Sequence, residues 1–219
     1  MDCFARVAPL VDETIATLER TRFEVDPIAG EKYSRQTSIV SSAYKRHGKI
    51  LEAALVEGMR ESNRHDVWKD DVFRVSRAAD GLVASQTEAE CANSALPYGE
   101  AYRQIQVDLL AFDHADETIR SYEIKRGFGQ FDAGKIRSIK RDLRCAQVLL
   151  KSYGELRSIK PRAAESRIIF YYGRRSIPRP WSLVKSELDE HFQFPIVEKV
   201  EQVNIYFRDK LHDPLEKVS

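Results

Sequence analysis

Apolar residues recur along the chain at two different spacings, which predict a mixture of helices and strands. Spacings of three and four residues predict helices over about Pro9 to Arg22, Ile39 to Ser62, Asp132 to Tyr153 and Ser182 to His191. Alternating or continuous runs rich in β-branched and aromatic residues predict strands over Val67–Val75, Arg103–Phe112, Thr118–Lys125, Ser166–Tyr172 and Val197–Phe207. The segment from Ala78 to Glu100 fits either a short helix around Glu88–Ala95 or a long loop. The pattern therefore predicts an α/β protein.

The second and third predicted strands are expected to form a β-hairpin, because the polar tetrapeptide 114–117 between them is suited to closing one. A hairpin centred there places Asp108 opposite Glu123 and Gln106 opposite Lys125. Since side chains alternate along a strand, these four residues share one face. The opposite face is then apolar and carries Ile105, Val107, Leu109, Tyr122 and Ile124.

Two carboxylates on paired strands have Cβ atoms roughly 4.5–5.5 Å apart and repel each other unless a cation lies between them. Mg²⁺ takes carboxylate oxygens and keeps several waters when one or two carboxylates and phosphate oxygens bind it. Lys125, two residues beyond Glu123, shares the face and is placed to hold a water or a phosphate oxygen. Asp108, Glu123 and Lys125 thus predict a magnesium-dependent site for phosphodiester hydrolysis, with Mn²⁺ as a substitute and Gln106 lining the site. The alternative is a surface ion pair between Glu123 and Lys125.

This arrangement resembles the PD-(D/E)xK nuclease superfamily, which has an acidic residue on one strand and (D/E)xK on the next. The chain has Val107-Asp108 and, after fourteen residues, Glu123-Ile124-Lys125. Val107 stands where the family motif has proline. The resemblance covers about residues 39–172. It implies a restriction endonuclease-like αβββαβ core, in which a mixed central sheet is flanked by helices, within a single nuclease domain over residues 1–219. The N-terminal helix and the C-terminal helix and strand are additions to that core.

The resemblance also implies a further acidic residue from a helix before the sheet, and Glu52 is the matching position. Glu52 lies in the apolar stretch 50–56, where an unpaired buried carboxylate would be unfavourable, so we expect it to act as a third catalytic and metal-binding group. The alternative is that Glu52 only borders the apolar stripe and reaches solvent.

Basic residues are concentrated just after this hairpin. Residues 120–180 carry 16 Lys and Arg against 5 Asp and Glu, whereas the rest of the chain carries 19 against 29. Such asymmetry favours a nucleic-acid partner, although a solvated charged face would give the same count. The candidate nucleic-acid contacts are Lys135, Lys140, Arg141, Arg144, Arg174, Arg175 and Arg179.

Other features narrow the class of protein. The three cysteines are far apart and form no CxxC pair, which argues against a disulfide framework and a zinc knuckle. The five histidines show no metal-binding spacing, which argues against a histidine metal site. No phosphate-binding GxxxxGK[ST] loop is present, which argues against ATP use. No secretory signal and no apolar run of about eighteen residues is visible, so we expect an intracellular protein without a membrane partner.

These observations lead us to expect a Mg²⁺-dependent endonuclease that cuts double-stranded DNA. A type II restriction endonuclease fits best, since the chain is short and carries no ATPase motif, and a homodimer is implied by the resemblance. A repair, recombination or mobile-element nuclease of the same fold, or a non-catalytic nucleic-acid-binding protein, are the alternatives.

Overall fold

The computed structural model describes residues 2–21, 24–127 and 129–216, which are arranged in two compact units. Met1–Glu61 and Phe192–Ser219 form the first unit, and Ser62–His191 form the second. In chain order the helices are α1 (Cys3–Arg20), α2 (Gly30–Arg60), α3 (Arg77–Ser85), α4 (Glu88–Ala92), α5 (Ala133–Leu156), α6 (Leu188–Phe192) and α7 (Ile196–Glu216). The strands are β1 (His65–Val75), β2 (Arg103–Asp113), β3 (Thr118–Lys125), β4 (Ala163–Phe170) and β5 (Ser182–Val184).

The first unit is helical and contains α1, α2 and α7. Helix α1 begins earlier than predicted, because the Asp2 carboxylate accepts a hydrogen bond from Ala5 N at 2.8 Å and caps the first turn. Pro9 therefore lies inside the helix, and the prediction that it occupies the first turn is wrong. Arg22, where the helix was predicted to end, lies outside the described residues.

Helix α7 replaces the strand predicted over Val197–Phe207. Its buried side chains are spaced by four, three and four residues, which is the period of a helix, and they are Ile196, Val200, Val203 and Phe207. The high content of β-branched residues suggested a strand, but the helical spacing of the apolar residues determines the structure.

The second unit is built on a five-stranded mixed sheet in the order β1-β2-β3-β4-β5. Strands β1, β2 and β3 are antiparallel neighbours, whereas β3, β4 and β5 are parallel. Helix α5 connects β3 to β4, as parallel neighbours require a crossover. The predicted mixed sheet with flanking helices is confirmed.

Helix α5 packs on the sheet through the apolar face that the sequence predicted. Its Asp132 cap accepts from Lys135 N at 2.8 Å, and Ile139, Leu143 and Ala146 are buried. The main core lies beneath it and includes residues of β1, β2 and β3, namely Phe73, Val75, Val107, Leu110, Phe112 and Ile119. Burial of this face therefore fixes α5 above the hairpin.

Two further segments differ from the elements that the sequence indicated. The segment 78–100, which fitted either a short helix or a long loop, contains all but the first residue of α3 and all of α4. The segment Ser182–His191, which was predicted to be a helix, begins with the strand β5, and only its last part belongs to α6.

We expect Gly154→Ala to destabilise the protein, because a Cβ at this position in α5 would lie 2.7 Å from Cγ of Pro161. Overpacking of this kind lowers the free energy of unfolding by about 1–3 kcal/mol. The control is Gly81→Ala in α3, where nothing lies within 4 Å of the added Cβ. Urea denaturation should show a gain of up to about 1 kcal/mol for the control, and equal gains for both variants would contradict the proposed contact.

Candidate active site

The hairpin has the register that the sequence predicts. Strands β2 and β3 pair from Leu109 with Tyr122 to Asp113 with Thr118. The same register, continued by one residue, places Asp108 opposite Glu123. The turn occupies residues 114–117, and Glu117 adopts a positive φ of 54° to close it.

The backbone pairing between the two strands ends at Leu109, and the Asp108 side chain provides the next hydrogen bond between them. Asp108 Oδ2 accepts a hydrogen bond from the backbone N–H of Ile124 at 2.8 Å. Beyond Tyr122, strand β3 continues to pair with β4, so that Glu123 lies beside Ile168 and Lys125 beside Phe170. Asp108 is only 6% exposed and is thus fixed between β2 and β3.

Lys125 lies close to both carboxylates. Its Nζ is 2.9 Å from Glu123 Oε1 and 3.8 Å from Asp108 Oδ2, and Gln106 Nε2 donates to Asp108 Oδ1 at 3.3 Å. The two acids therefore share an ammonium group, and the uncompensated repulsion expected from the sequence is relieved within the protein. The convergence of Gln106, Asp108, Glu123 and Lys125 agrees with the predicted shared face.

These side chains open into a cavity of about 350 Å³. Ser121 and Ser166, joined by a hydrogen bond of 2.7 Å between their hydroxyl oxygens, line it together with α5 residues Asp142, Leu143 and Ala146. The cavity is therefore bounded by the hairpin, by β4 and by α5.

The apolar side of the hairpin differs from the prediction at two residues. Val107 belongs to the core beneath α5, and Ile105 packs against that core beside Leu110 and Phe112. The reason is that the pairing between β1 and β2 shifts register on both sides of Asp70, which interrupts regular alternation in this part of β2. Placing Ile105 and Val107 with Leu109 is therefore wrong.

Ion pairs around the buried Asp80 carboxylate support one wall of the cavity. Arg103 Nε lies 3.0 Å from Asp80 Oδ2, and Arg103 Nη1 lies 2.6 Å from Asp142 Oδ1. Burial alone would raise the pKa of the Asp80 carboxyl, but hydrogen bonds from Arg103, Cys145 and Arg141 hold that pKa below its usual value. Asp80 thus remains ionised and ties α3 to β2 and α5.

The residue between Ser121 and Glu123 is anchored by a contact that the sequence did not suggest. A 2.7 Å hydrogen bond joins Tyr122 Oη, which is buried, to His191 Nε2, which is partly buried. Burial raises the pKa of Tyr122 and lowers the pKa of His191 to about 3, so both are neutral near pH 7. No local sequence signal links these residues, which are 69 positions apart.

Glu52 lies on α2 in the helical unit, and its side chain is partly buried. Its expected part in the metal site remains a prediction. Within residues 2–21, 24–127 and 129–216, no group of three or more His, Cys, Asp and Glu side chains is arranged to hold a metal ion. The hairpin itself supplies two carboxylates, Asp108 and Glu123.

Three candidate DNA-binding residues on α5 have partners within the protein. Lys140 pairs with Glu88, which also accepts from Trp181 Nε1 at 2.8 Å. Arg141 lies 2.9 Å from Asp80, and Arg144 donates to the Gln86 carbonyl at 2.7 Å. These contacts fasten α3, α4 and the segment between them to α5.

The other four basic candidates differ in whether they pair with a carboxylate. Arg175 Nη2 lies 2.6 Å from Glu187, and Arg179 also pairs with that carboxylate. Burial acts to raise the pKa of Glu187, but its arginine and backbone hydrogen bonds lower it to about 2. Arg174 and Lys135 are exposed, and the Lys135 ammonium lies 4.5 Å from the Phe131 ring centroid.

Cys3, Cys91 and Cys145 are free and buried. Asp70 accepts from the Tyr153 hydroxyl at 2.9 Å, whereas Asp71 is exposed. Among the described helices, none is long and apolar enough to cross a membrane.

Comparisons with family models, curated proteins and solved structures gave no match to this chain. The geometry of the site therefore carries the functional argument.

Asp108 has a structural role that distinguishes two substitutions. We expect Asp108→Ala to lower the free energy of unfolding by about 1–3 kcal/mol, because Ile124 N–H loses its buried acceptor. Asp108→Asn keeps an oxygen at this position and should be less destabilising. Thermal and urea unfolding without divalent cations measure both effects, and equal losses would show that the hydrogen bond to Ile124 contributes little.

Proposed function

We propose that this protein is a Mg²⁺-dependent endonuclease that hydrolyses phosphodiester bonds in DNA. The observation that carries the proposal is the convergence of Asp108, Glu123 and Lys125 in one open cavity at the point where β2 and β3 separate. Two carboxylates and an amine in this arrangement suit hydrolysis of a phosphodiester, because a cation and a proton donor can act on the same phosphate.

The donor set fits Mg²⁺. Asp108 and Glu123 offer only oxygen atoms, and a site with two carboxylates leaves positions for waters and phosphate oxygens, as Mg²⁺ prefers. The hydrogen bond from Ile124 fixes the Asp108 carboxylate, so one of the two proposed ligands is held in place by the backbone. When bound, Mg²⁺ would supply Lewis acidity and a more acidic water.

The protein groups have separate roles in this proposal. Lys125 can turn its ammonium group from the carboxylates towards a water or a phosphate oxygen, because its side chain is 35% exposed on a flexible stem. Gln106, whose amide already contacts Asp108, can donate to a phosphate oxygen from the cavity rim. Donors aimed at the phosphate stabilise the negative charge that develops during the reaction.

The order of elements supports a restriction endonuclease-like nuclease. Strands β1, β2 and β3 are followed by α5 and β4, with the acidic residue on β2 and Glu123-Ile124-Lys125 on β3. This agrees with the βββαβ part of the PD-(D/E)xK core, for which the chain supplies the motif. Within that class we propose a type II restriction endonuclease that acts as a homodimer on duplex DNA. A repair or recombination nuclease of the same fold is the second candidate.

The direct test is incubation with long unmethylated duplex DNA, with and without Mg²⁺. Discrete bands that require Mg²⁺ support sequence-specific cleavage, and an unstructured smear favours the repair or recombination class. If the DNA stays intact although the protein is shown to be folded, the result contradicts the proposal and favours a DNA-binding protein without catalytic activity.

We expect Lys125→Ala to reduce cleavage by roughly 10²–10³-fold, the effect of removing one group that stabilises the transition state. DNA binding should persist, since Lys125 supplies one positive charge among many. The matched control is Lys160→Ala, an exposed lysine outside the cavity, which should cleave normally. Parallel loss of binding and cleavage in Lys125→Ala would contradict a role in the reaction step.

A further inference from the structure

A second cleft of about 290 Å³ lies where the segments after β3 and β4 meet. Gln130, Phe131 and Ile136 line it from one segment and from the first turn of α5, and Arg174, Arg175 and Ser176 line it from the other. None of these six lining residues is acidic. The cleft therefore combines cationic and neutral hydrogen-bonding groups.

Hydrogen bonds connect this cleft to the strand that carries Lys125. Tyr171 N donates to the Lys125 carbonyl at 3.0 Å, and Tyr172 N donates to the Arg126 carbonyl at 2.7 Å. Arg174 follows Tyr172 by two residues, so their Cα atoms lie within about 7 Å of each other. Since β3 and β4 are parallel, both segments leave the sheet at its carboxyl edge, where α/β proteins commonly bind ligands.

The arginines after β4 are not equivalent. Arg175 uses both terminal nitrogens on Glu187 and Ser182, and Arg179 is also held by Glu187. Across the part of the chain that the structure describes, Arg174 forms no hydrogen bond or ion pair, and its side chain is exposed. Its guanidinium group is thus available to an anion, whereas the other two are held by a shared carboxylate.

The cleft has the chemistry of a phosphate site. A guanidinium group binds phosphate oxygens with two parallel hydrogen bonds, and these are stronger than bonds between neutral groups. The Gln130 amide and the Ser176 hydroxyl can donate to the remaining oxygens. Arg175, fixed by Glu187, adds a hydrogen-bonding side chain at the wall of the cleft.

We propose that this cleft binds a backbone phosphate of the DNA strand next to the scissile phosphate, and that Arg174 is the residue that contacts it. The inference rests on the proposed nuclease function, since it places the substrate strand along the edge from Lys125 to Arg174. Arg174 is a binding residue in this assignment and takes no part in the chemical step.

The test measures binding of a short fluorescent DNA duplex in EDTA, so that cleavage does not contribute. Anisotropy titrations at several salt concentrations give the affinity and its salt dependence for wild type, Arg174→Ala, Arg174→Lys and Arg162→Ala. Arg162→Ala is the matched control, because it removes an exposed arginine at the opposite end of β4, outside the cleft. Thermal unfolding of each variant confirms that it is folded.

We expect Arg174→Ala to weaken binding roughly tenfold at low salt, as for loss of one charge-assisted hydrogen bond. The slope of log K against log salt should become shallower by about 0.9, corresponding to one phosphate contact. Arg174→Lys should keep most of the slope, because it keeps the charge. Arg162→Ala should behave as wild type.

The outcomes separate the two proposals. Unchanged affinity and slope in Arg174→Ala overturn the cleft assignment, whether or not the wild type cleaves DNA. The expected change in a protein that never cleaves DNA with Mg²⁺ supports the cleft and overturns the nuclease. Inorganic phosphate that stabilises wild type but not Arg174→Ala against thermal unfolding, while duplex affinity and slope are the same in both, would show a site for free phosphate and overturn the assignment to DNA.

Discussion

The hydrogen bond from Ile124 N to the Asp108 carboxylate is the contact on which the candidate site depends. It occurs at the last position where β2 and β3 are still close enough to pair, and it replaces a backbone acceptor with a charged side chain. The strands can then diverge without leaving a buried N–H unsatisfied. Divergence in turn creates the space into which Glu123 and Lys125 project.

The neighbouring strands and helices hold this opening in shape from both sides. On the side covered by α5, the buried Asp80 carboxylate forms ion pairs with Arg103 and Arg141, and it thereby links α3 to β2 and α5. Tyr122 is fixed by His191 at the residue before Glu123. Each contact satisfies one buried polar group, the Asp80 carboxylate or the Tyr122 hydroxyl, which favours one arrangement of the cavity wall over others.

The parts of the fold that the sequence predicts are those determined by local patterns. The hairpin register follows from the turn at 114–117 and from side-chain alternation, and α5 follows from its apolar spacing. The position of Val107 depends on an irregularity in pairing with β1, and the contact of Tyr122 with His191 joins distant segments, so neither is visible locally. In α7, β-branched residues at helical spacing favoured the wrong element. Lys140 and Arg141 on α5 were predicted to contact DNA, and their acidic partners Glu88 and Asp80 come from a segment whose structure the sequence left open.

The two contacts of the Glu88 carboxylate restrict how the chain segments around the site can move relative to one another. It receives both the Lys140 ammonium and the Trp181 indole N–H, and so it fastens α4 to α5 and to the segment that follows Arg174. These three pieces of chain cannot separate one at a time without breaking a bond to this carboxylate. Any widening of the protein surface there, as when a bulky polymer enters, must therefore move α4 and the Trp181 segment together or release Glu88 from one of them.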